Sequence, residues 1–207
     1  MKILIACEES QTITNMFRSK GYEAYSCDIL DCSGGNPQYH FKGDALTYAY
    51  SGGFDLMIAH PPCTYLAVSG ARWMYNKDGS VNQERLLNQN KALDFVKKLM
   101  DAPIDKIAIE NPVSVISTKI RKPDQIVQPY YFGDEARKTT CLWLKNLPLL
   151  KPTKIVDEGE RVVFKSGKSH PKWYADAFSK SKTADERRRL RSKTFPGFAN
   201  AIVNQWV

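Results

Sequence analysis

The stretch KILIACEESQTITNMFRSKGYEAYSCDI, residues 2–29, decides the fold. It opens on the apolar run KILIAC (2–7), of the length and character of a central strand. QTITNMFRSKG (11–21) then places Ile13, Met16 and Phe17 on one helical face and closes on Gly21, the residue type that ends helices in a left-handed conformation. EAYSCDI (23–29) reads as a second strand ending on Asp28. Strand, helix and strand joined this tightly make a βαβ unit, so the two strands run parallel and the crossover is right-handed.

Working outward, a Gly-, Ser- and Asn-rich loop (31–38) leads to GDAL (43–46), and FDLMIA (54–59) is the next strand. Residues 66–80 look irregular, after which Leu86, Leu87, Leu93, Val96 and Leu99 predict an amphipathic helix from about Asn82 to Met100. KIAIENP (106–112) is a strand ending in polar residues and proline, and RKTTCLWLKNLP (137–148) a late strand stopped by Pro148. Residues 151–183 follow no single period; ADERRRLRS reads as a short helix and GFANAIVNQWV as a final apolar helix returning to the core. Strands alternating with helices predict an α/β fold, a doubly wound and mostly parallel Rossmann-like sheet with helices on both faces. The expected division is 1–150 for this domain, 151–194 for a small basic recognition or linker region, and 195–207 for the terminal helix.

At 207 residues and 43% hydrophobic content, the chain can bury one substantial core. Its apolar runs are too short for a membrane span, and MKILIACEES is too brief for a secretory signal. Five cysteines without a CxxC pair argue against a disulfide framework and a structural zinc site, so a cytoplasmic protein is expected. His40, His60 and His170 show no ligand spacing, and no metal is expected. The net charge of +8 is uneven: residues 1–150 carry 17 basic and 16 acidic side chains, residues 151–194 carry 13 and 6. A late basic segment suits a polyanionic partner such as DNA or RNA, and equally a solvated basic helix and loop.

Three residues of chemical interest sit at strand exits: Asp28, Cys63 and Glu110. In AHPPCTYLAVSG (59–70), Pro61 and Pro62 cannot extend a ladder, so they end the strand and stiffen the loop that carries Cys63. The carboxyl edge of an open parallel sheet is where ligands bind, which suits a nucleophile; a buried loop thiol is the plainer alternative. Asp28 suits a ribose diol or the capping of a turn. Glu110, partly out of water, suits an acid that donates to a ring nitrogen, or a carboxylate that satisfies turn N–H groups. His60, three residues before Cys63, is placed to tune that thiol but reads first as structural, and Cys7, Cys27 and Cys141 read as small buried residues of apolar strands.

PPC after one strand, ENP after a later one and GFANAIVNQW at the end resemble the cytosine-5 DNA methyltransferases. The chain is similar above all to short phage-borne proteins described as cytosine methyltransferases, through IACEESQ, AHPPCTYLA, FG…KTTCLWLK and TFPG, over nearly its whole length. The resemblance implies a Rossmann-like catalytic domain, S-adenosylmethionine as cofactor and DNA, duplex or single-stranded, as partner, in the cytoplasm of a host cell. It makes Cys63 the nucleophile on cytosine C6, Glu110 the group that holds and protonates N3, Asn111 the brace of the Cys63 loop, and Arg137 or Lys138 the contact to the cytosine carbonyl. Ala6, Glu8, Ser10, Asp28, Ile29, Asp44, Pro62 and Asn200 would line the cofactor, with Asp28 on its ribose and Asp44 facing its adenine. Thr64, Ser69, Lys138, Lys168, Trp173, Arg187, Arg188 and Arg191 would meet DNA. Two features depart from the family: ACEESQ replaces its glycine-rich turn, and the region of about 45 residues before the last motif is small for extended sequence readout. Modification of a free pyrimidine nucleotide and a non-catalytic binding protein are the alternatives; the oligomeric state is open.

Overall fold

Strand β1 (Lys2–Ala6) is followed by helix α1 (Thr12–Ser19) and strand β2 (Glu23–Asp28), with Lys2 opposite Glu23 and Ala6 opposite Cys27 in parallel register. The computed structural model describes all 207 residues, and the βαβ unit read from residues 2–29 is present in it. Next come β3 (His40–Lys42), α2 (Ala45–Ala49), β4 (Leu56–Ala59), α3 (Gln83–Met100), β5 (Lys106–Pro112), α4 (Ile116–Lys119), β6 (Gln125–Val127) and β7 (Thr140–Lys145). They form a seven-stranded sheet in the order β3-β2-β1-β4-β5-β7-β6, in which β1, β2, β3, β4 and β5 pair in parallel and β7 is antiparallel to β5. The fold is therefore a doubly wound α/β sheet. Its strand order reverses between β1 and β4, and the crevice beyond their carboxyl ends is where such sheets bind ligands.

Alternation along the central strands explains why both faces are covered. Leu4, Ala6, Met57, Ala59, Ile107 and Ile109 share one core with Ala45 and Ala49 of α2 and Val96 and Leu99 of α3. Ile3, Ile5, Ile58 and Ala108 point the other way and are equally buried, as are Ile13 and Phe17 of α1. Each large side chain so removed from water contributes about 1.5–3 kcal/mol. Burial in α3 is concentrated at Val96 and Leu99, and Leu87, expected on its apolar face, stays 54% exposed. Strand β7 ends three residues before Pro148: Asn146, in a left-handed conformation at φ 51°, turns the chain and donates from Nδ2 to Asp105 O at 3.0 Å.

The chain divides into two units, Met1–Ile126 with Thr140–Leu149, and Val127–Thr139 with Leu150–Val207. Residues 127–139 and the terminal helix thus fall in the second unit together with the basic region. That unit contains the antiparallel hairpin β8 (Arg161–Val163) and β9 (Ser169–Pro171), then α5 (Lys172–Ser179), α6 (Ala184–Ser192) and α7 (Pro196–Gln205). The reason for that grouping is local. Asp134 Oδ2 accepts the N–H groups of Gly197 (3.0 Å) and Phe198 (3.2 Å) at the start of α7, and Phe198 packs on Phe132 with ring centroids 5.5 Å apart. A Cβ at Gly197 would lie 2.1 Å from Phe132 O, so only glycine fits there. Gly197→Ala is expected to destabilise this unit by roughly 1–3 kcal/mol, read as a lower denaturant midpoint by circular dichroism.

No helix is long and apolar enough to cross a membrane.

Candidate active site

The loop after β4 is fixed on both sides of Cys63. His60 N donates to Ala6 O at 2.9 Å, which carries the β1–β4 ladder one residue past β4 before the two prolines stop it. Asn111, 2% exposed on β5, donates from Nδ2 to Pro61 O at 2.8 Å. Beyond the cysteine, Cys63 O accepts from Leu66 N (3.0 Å) and Ala67 N (2.9 Å). Val68 N then donates to Val113 O at 3.1 Å and Val115 N to Leu66 O at 2.9 Å, pinning the segment to the chain that leaves β5. Cys63 itself is exposed.

Glu110 lies near the end of the neighbouring strand. Its Oε2 is 2.6 Å from His60 Nδ1, and both side chains are largely buried, at 15% and 16% exposure. Register accounts for the contact: β4 and β5 are parallel with Ala59 opposite Ile109, so the next residues along, His60 and Glu110, emerge side by side. Sequence alone assigned His60 a structural place. The signal that finds it is that His60 and Glu110 each directly follow an apolar run, LMIA and IAI, on two adjacent parallel strands.

The turn after β1 has no glycine, yet Cys7 (φ 60°) and Gln11 (φ 54°) adopt the left-handed conformation that glycine supplies freely. Each costs roughly 1–2 kcal/mol. The loop over 31–38 offsets that strain: Ser33 N donates to Glu9 O at 2.8 Å, Gln11 Nε2 to Asn36 O at 2.9 Å and Asn36 N to Gln11 Oε1 at 3.1 Å. Gly34 packs so closely there that a Cβ would sit 2.5 Å from Ser10 O.

Glu8, expected among the cofactor residues, has its carboxylate engaged by α1. It is 5% exposed, and its carboxylate caps α1, accepting Ile13 N at 2.7 Å, Thr14 N at 3.3 Å and the Thr14 hydroxyl at 2.6 Å. Burial raises its pKa, opposed by the charge of His60 and by those hydrogen bonds. A carboxyl pKa raised by folding contributes stability that is complete below the unfolded value and is lost as pH rises through the folded one. Glu8→Gln escapes that loss. The stability difference between Glu8→Gln and wild type, read from denaturant midpoints at each pH, is therefore expected to move in favour of the amide as pH rises from 4 to 8, by at most about 1.4 kcal/mol per pH unit. A pH-independent difference would contradict it.

Three other thiols are held protonated by burial: Cys7 is raised well above its ordinary value, Cys27 is pushed up to about 12, and Cys141 is raised. Ser10 Oγ lies 3.1 Å from Thr12 Oγ1 within its own turn. Asp28 Oδ1 accepts Leu30 N at 2.9 Å, and the carboxylate stays partly exposed at the end of β2 beside the exposed Ile29 and Leu30. Asp44 Oδ1 accepts Leu46 N at 3.0 Å as the N-cap of α2. Ala6 is fully buried, and Pro62, Thr64 and Ser69 are exposed along the Cys63 segment. The first unit thus gathers Cys63, Glu110, Asn111 and Pro62 at the ends of β4 and β5, and Ala6, Glu8, Ser10, Asp28 and Ile29 at the ends of β1 and β2.

The remaining expected contacts lie in the second unit, several already engaged there. Arg137 pairs with Glu158 at 3.0 Å, and Lys138 Nζ donates to Lys193 O at 3.1 Å. Trp173 is a packing residue: its Nε1 donates to Arg137 O at 3.0 Å, and its ring stands edge-on to Tyr174 and Phe195. Arg187 lies over Phe178 (4.5 Å) and Arg191 over Tyr174 (4.6 Å), cation–π contacts that stabilise an aromatic cluster poor in aliphatic residues. Arg188 pairs with Asp185 at 3.3 Å. Lys168 is exposed at the β8–β9 hairpin, and Asn200 Oδ1 accepts from Asn204 Nδ2 at 3.0 Å on α7. No three His, Cys, Asp or Glu side chains converge to hold a metal ion.

No protein-family model matches the chain, and no curated protein matches it. Among solved structures, it is similar to the crystal structure of a prophage-encoded E. coli protein provisionally described as a DNA modification methyltransferase, at 12% identity and a TM-score of 0.45. The match covers 76% of this chain and 52% of that one, so the chain spans about half the length of that protein. A likeness that distant carries no conclusion about chemistry.

Proposed function

We propose that this protein transfers a methyl group from S-adenosylmethionine to C5 of a cytosine in DNA, with Cys63 as the covalent nucleophile. The observation that carries this reading is the pairing of an exposed cysteine, on a loop tied to β5 through Asn111 and Pro61, with a partly buried acid near the end of the adjacent strand.

In this mechanism the Cys63 thiolate adds to C6, and the displaced electron pair reaches N3, which takes a proton from Glu110. C5 becomes an enamine carbon and takes the methyl group, the S–CH3 bond breaking with its electron pair left on sulfur as the neutral thioether. Loss of the C5 proton to a base then expels Cys63 Sγ, and N3 returns its proton to Glu110. His60 holds the Glu110 carboxyl in place throughout. Asn111 keeps the nucleophile at a fixed height above the ring, the condition under which such additions are accelerated most.

The cofactor supplies the methyl group as an electrophile when bound. The residues at the end of β2 fit its adenosine half: Asp28 offers a partly exposed carboxylate to the ribose, and Ile29, 73% exposed, offers an apolar surface to the base. The methionine half would meet the backbone of the turn at Cys7–Gln11, since the Glu8 carboxylate is committed to α1.

The test is incorporation of labelled methyl from S-adenosylmethionine into duplex DNA, single-stranded DNA and dCMP. Label recovered as 5-methylcytosine in DNA supports the reading. No incorporation by folded protein, or label in dCMP alone, overturns it.

A further inference from the structure

Next to the Cys63 loop, and within the first unit, the segment that sequence analysis left irregular forms a 3₁₀ turn (Val68–Met74) and a short reversal, in which Tyr75 bridges Val81 and Asn76 N donates to Ser80 O at 2.8 Å. Together with the start of α3 it walls a groove of about 530 Å³. Two of its aromatic rings are displayed to solvent, Trp73 at 57% and Tyr75 at 60% exposure. Trp143 and Trp206, by contrast, are 1% and 2% exposed, and the Trp173 ring packs edge-on against Tyr174 and Phe195.

Cations accompany these rings. The Arg72 guanidinium lies 4.4 Å from the Trp73 ring, the Arg85 guanidinium lies 5.3 Å from the Tyr65 ring, and Lys77 lines the rim; Glu84 is the only acid in the lining. Arg85 Nη2 donates to Thr64 O at 3.1 Å, while its Nε is buried without a hydrogen-bond partner. That bond joins the groove to the residue after Cys63. Gly70 admits the guanidinium, for a Cβ there would lie 2.6 Å from Arg85 Nη2.

We infer that this groove binds unpaired nucleotides beside the target cytosine, so that the substrate is single-stranded DNA. The inference rests on the methyltransfer reading for its choice of DNA. Exposed aromatic rings flanked by Arg and Lys are the means by which proteins hold single strands: bases stack on the rings, and cations meet the phosphates. In a duplex those base faces are already stacked, and cytosine C5 and C6 are inaccessible without flipping. A groove lined from Tyr65 onward and tied to Thr64 O through Arg85 receives the neighbouring base of a strand whose cytosine lies at Cys63.

The experiment is fluorescence anisotropy of a labelled 12-nucleotide DNA with one central cytosine, compared with the same sequence as duplex and as RNA, without cofactor. The single strand of DNA is expected to bind at least tenfold more tightly than the duplex. Trp73→Ala is expected to weaken single-strand binding by about 5- to 150-fold, with Trp73→Phe close to wild type. Both Trp73 and Tyr75 are exposed, so unchanged melting curves confirm that folding is intact. Wild-type affinity in both Trp73→Ala and Tyr75→Ala, or tighter binding of duplex or RNA, overturns the inference. Trp73-dependent binding with no methyl transfer to any substrate would sink the chemistry and leave the groove standing. Methyl transfer with Trp73-independent binding would do the reverse.

Discussion

Cys63→Ala is expected to abolish methyl incorporation, a fall of roughly 10⁴-fold or more, while DNA affinity stays within about twofold of wild type. The size follows from the role. Without a thiolate bonded to C6, C5 of cytosine has no nucleophilic character, and proximity to a methyl donor gains nothing. The fold should be untouched, since the cysteine is exposed and its loop is held by Asn111, Leu66 and Val68. A second readout isolates the covalent step. Addition at C6 lets C5 pick up a solvent proton, so wild type should release tritium from 5-tritiated cytosine in DNA and Cys63→Ala should not. Cys7→Ala and Cys27→Ala are informative controls, because burial holds both thiols protonated and neither is a usable nucleophile. If Cys63→Ala kept its methyl transfer, or if removing a buried thiol abolished it without unfolding the protein, the assignment of Cys63 would fail.

What was legible in the sequence follows the physics of each element. Strands β1, β4 and β5 are apolar runs buried on both faces, and periodicity finds those without help. Helix α6 was legible as ADERRRLRS, and the structure adds the capping box that Thr183 and Glu186 form at its start. Strands β3, β6, β8 and β9 have three residues each, too few for any period to register, and exist because a neighbour pairs with them. At the site, Cys63 and Glu110 stood out because their motifs are local. The His60–Glu110 contact spans fifty positions and depends on β4 lying beside β5, and Glu8 becomes a helix cap only because Cys7 and Gln11 turn left-handed. Composition alone does not separate one tryptophan from another. Trp173 lies in a basic neighbourhood, and the fold sets its ring edge-on to Tyr174 and Phe195 in a partly exposed aromatic cluster, with Arg187 over Phe178 and Arg191 over Tyr174. Trp73 sits in a segment of no periodicity, where exposure is invisible until the chain is folded.

Glu110→Gln is expected to lower the methyl-transfer rate by about 10²–10⁴-fold with little change in DNA affinity. The amide is nearly isosteric, and its oxygen can still accept from His60 Nδ1 where the carboxylate stands 2.6 Å away, so the site keeps its shape. What it loses is a proton to place on N3 as the ring gains charge, an interaction made mainly in the transition state, so kcat should fall and KM stay nearly constant. His60 can be separated from Glu110 by the size of its effect. His60→Ala removes the group that orients the carboxyl and is expected to cost roughly 10- to 100-fold in kcat. In His60→Asn the amide nitrogen occupies nearly the place of Nδ1, so most of that loss should be recovered, which is the signature of a positioning residue. Equal losses in His60→Ala and His60→Asn would mean that the imidazole supplies more than a hydrogen bond. An unchanged rate in Glu110→Gln would remove the acid from the mechanism, and with it the reason for a partly buried carboxyl held near the end of β5 beside the Cys63 loop.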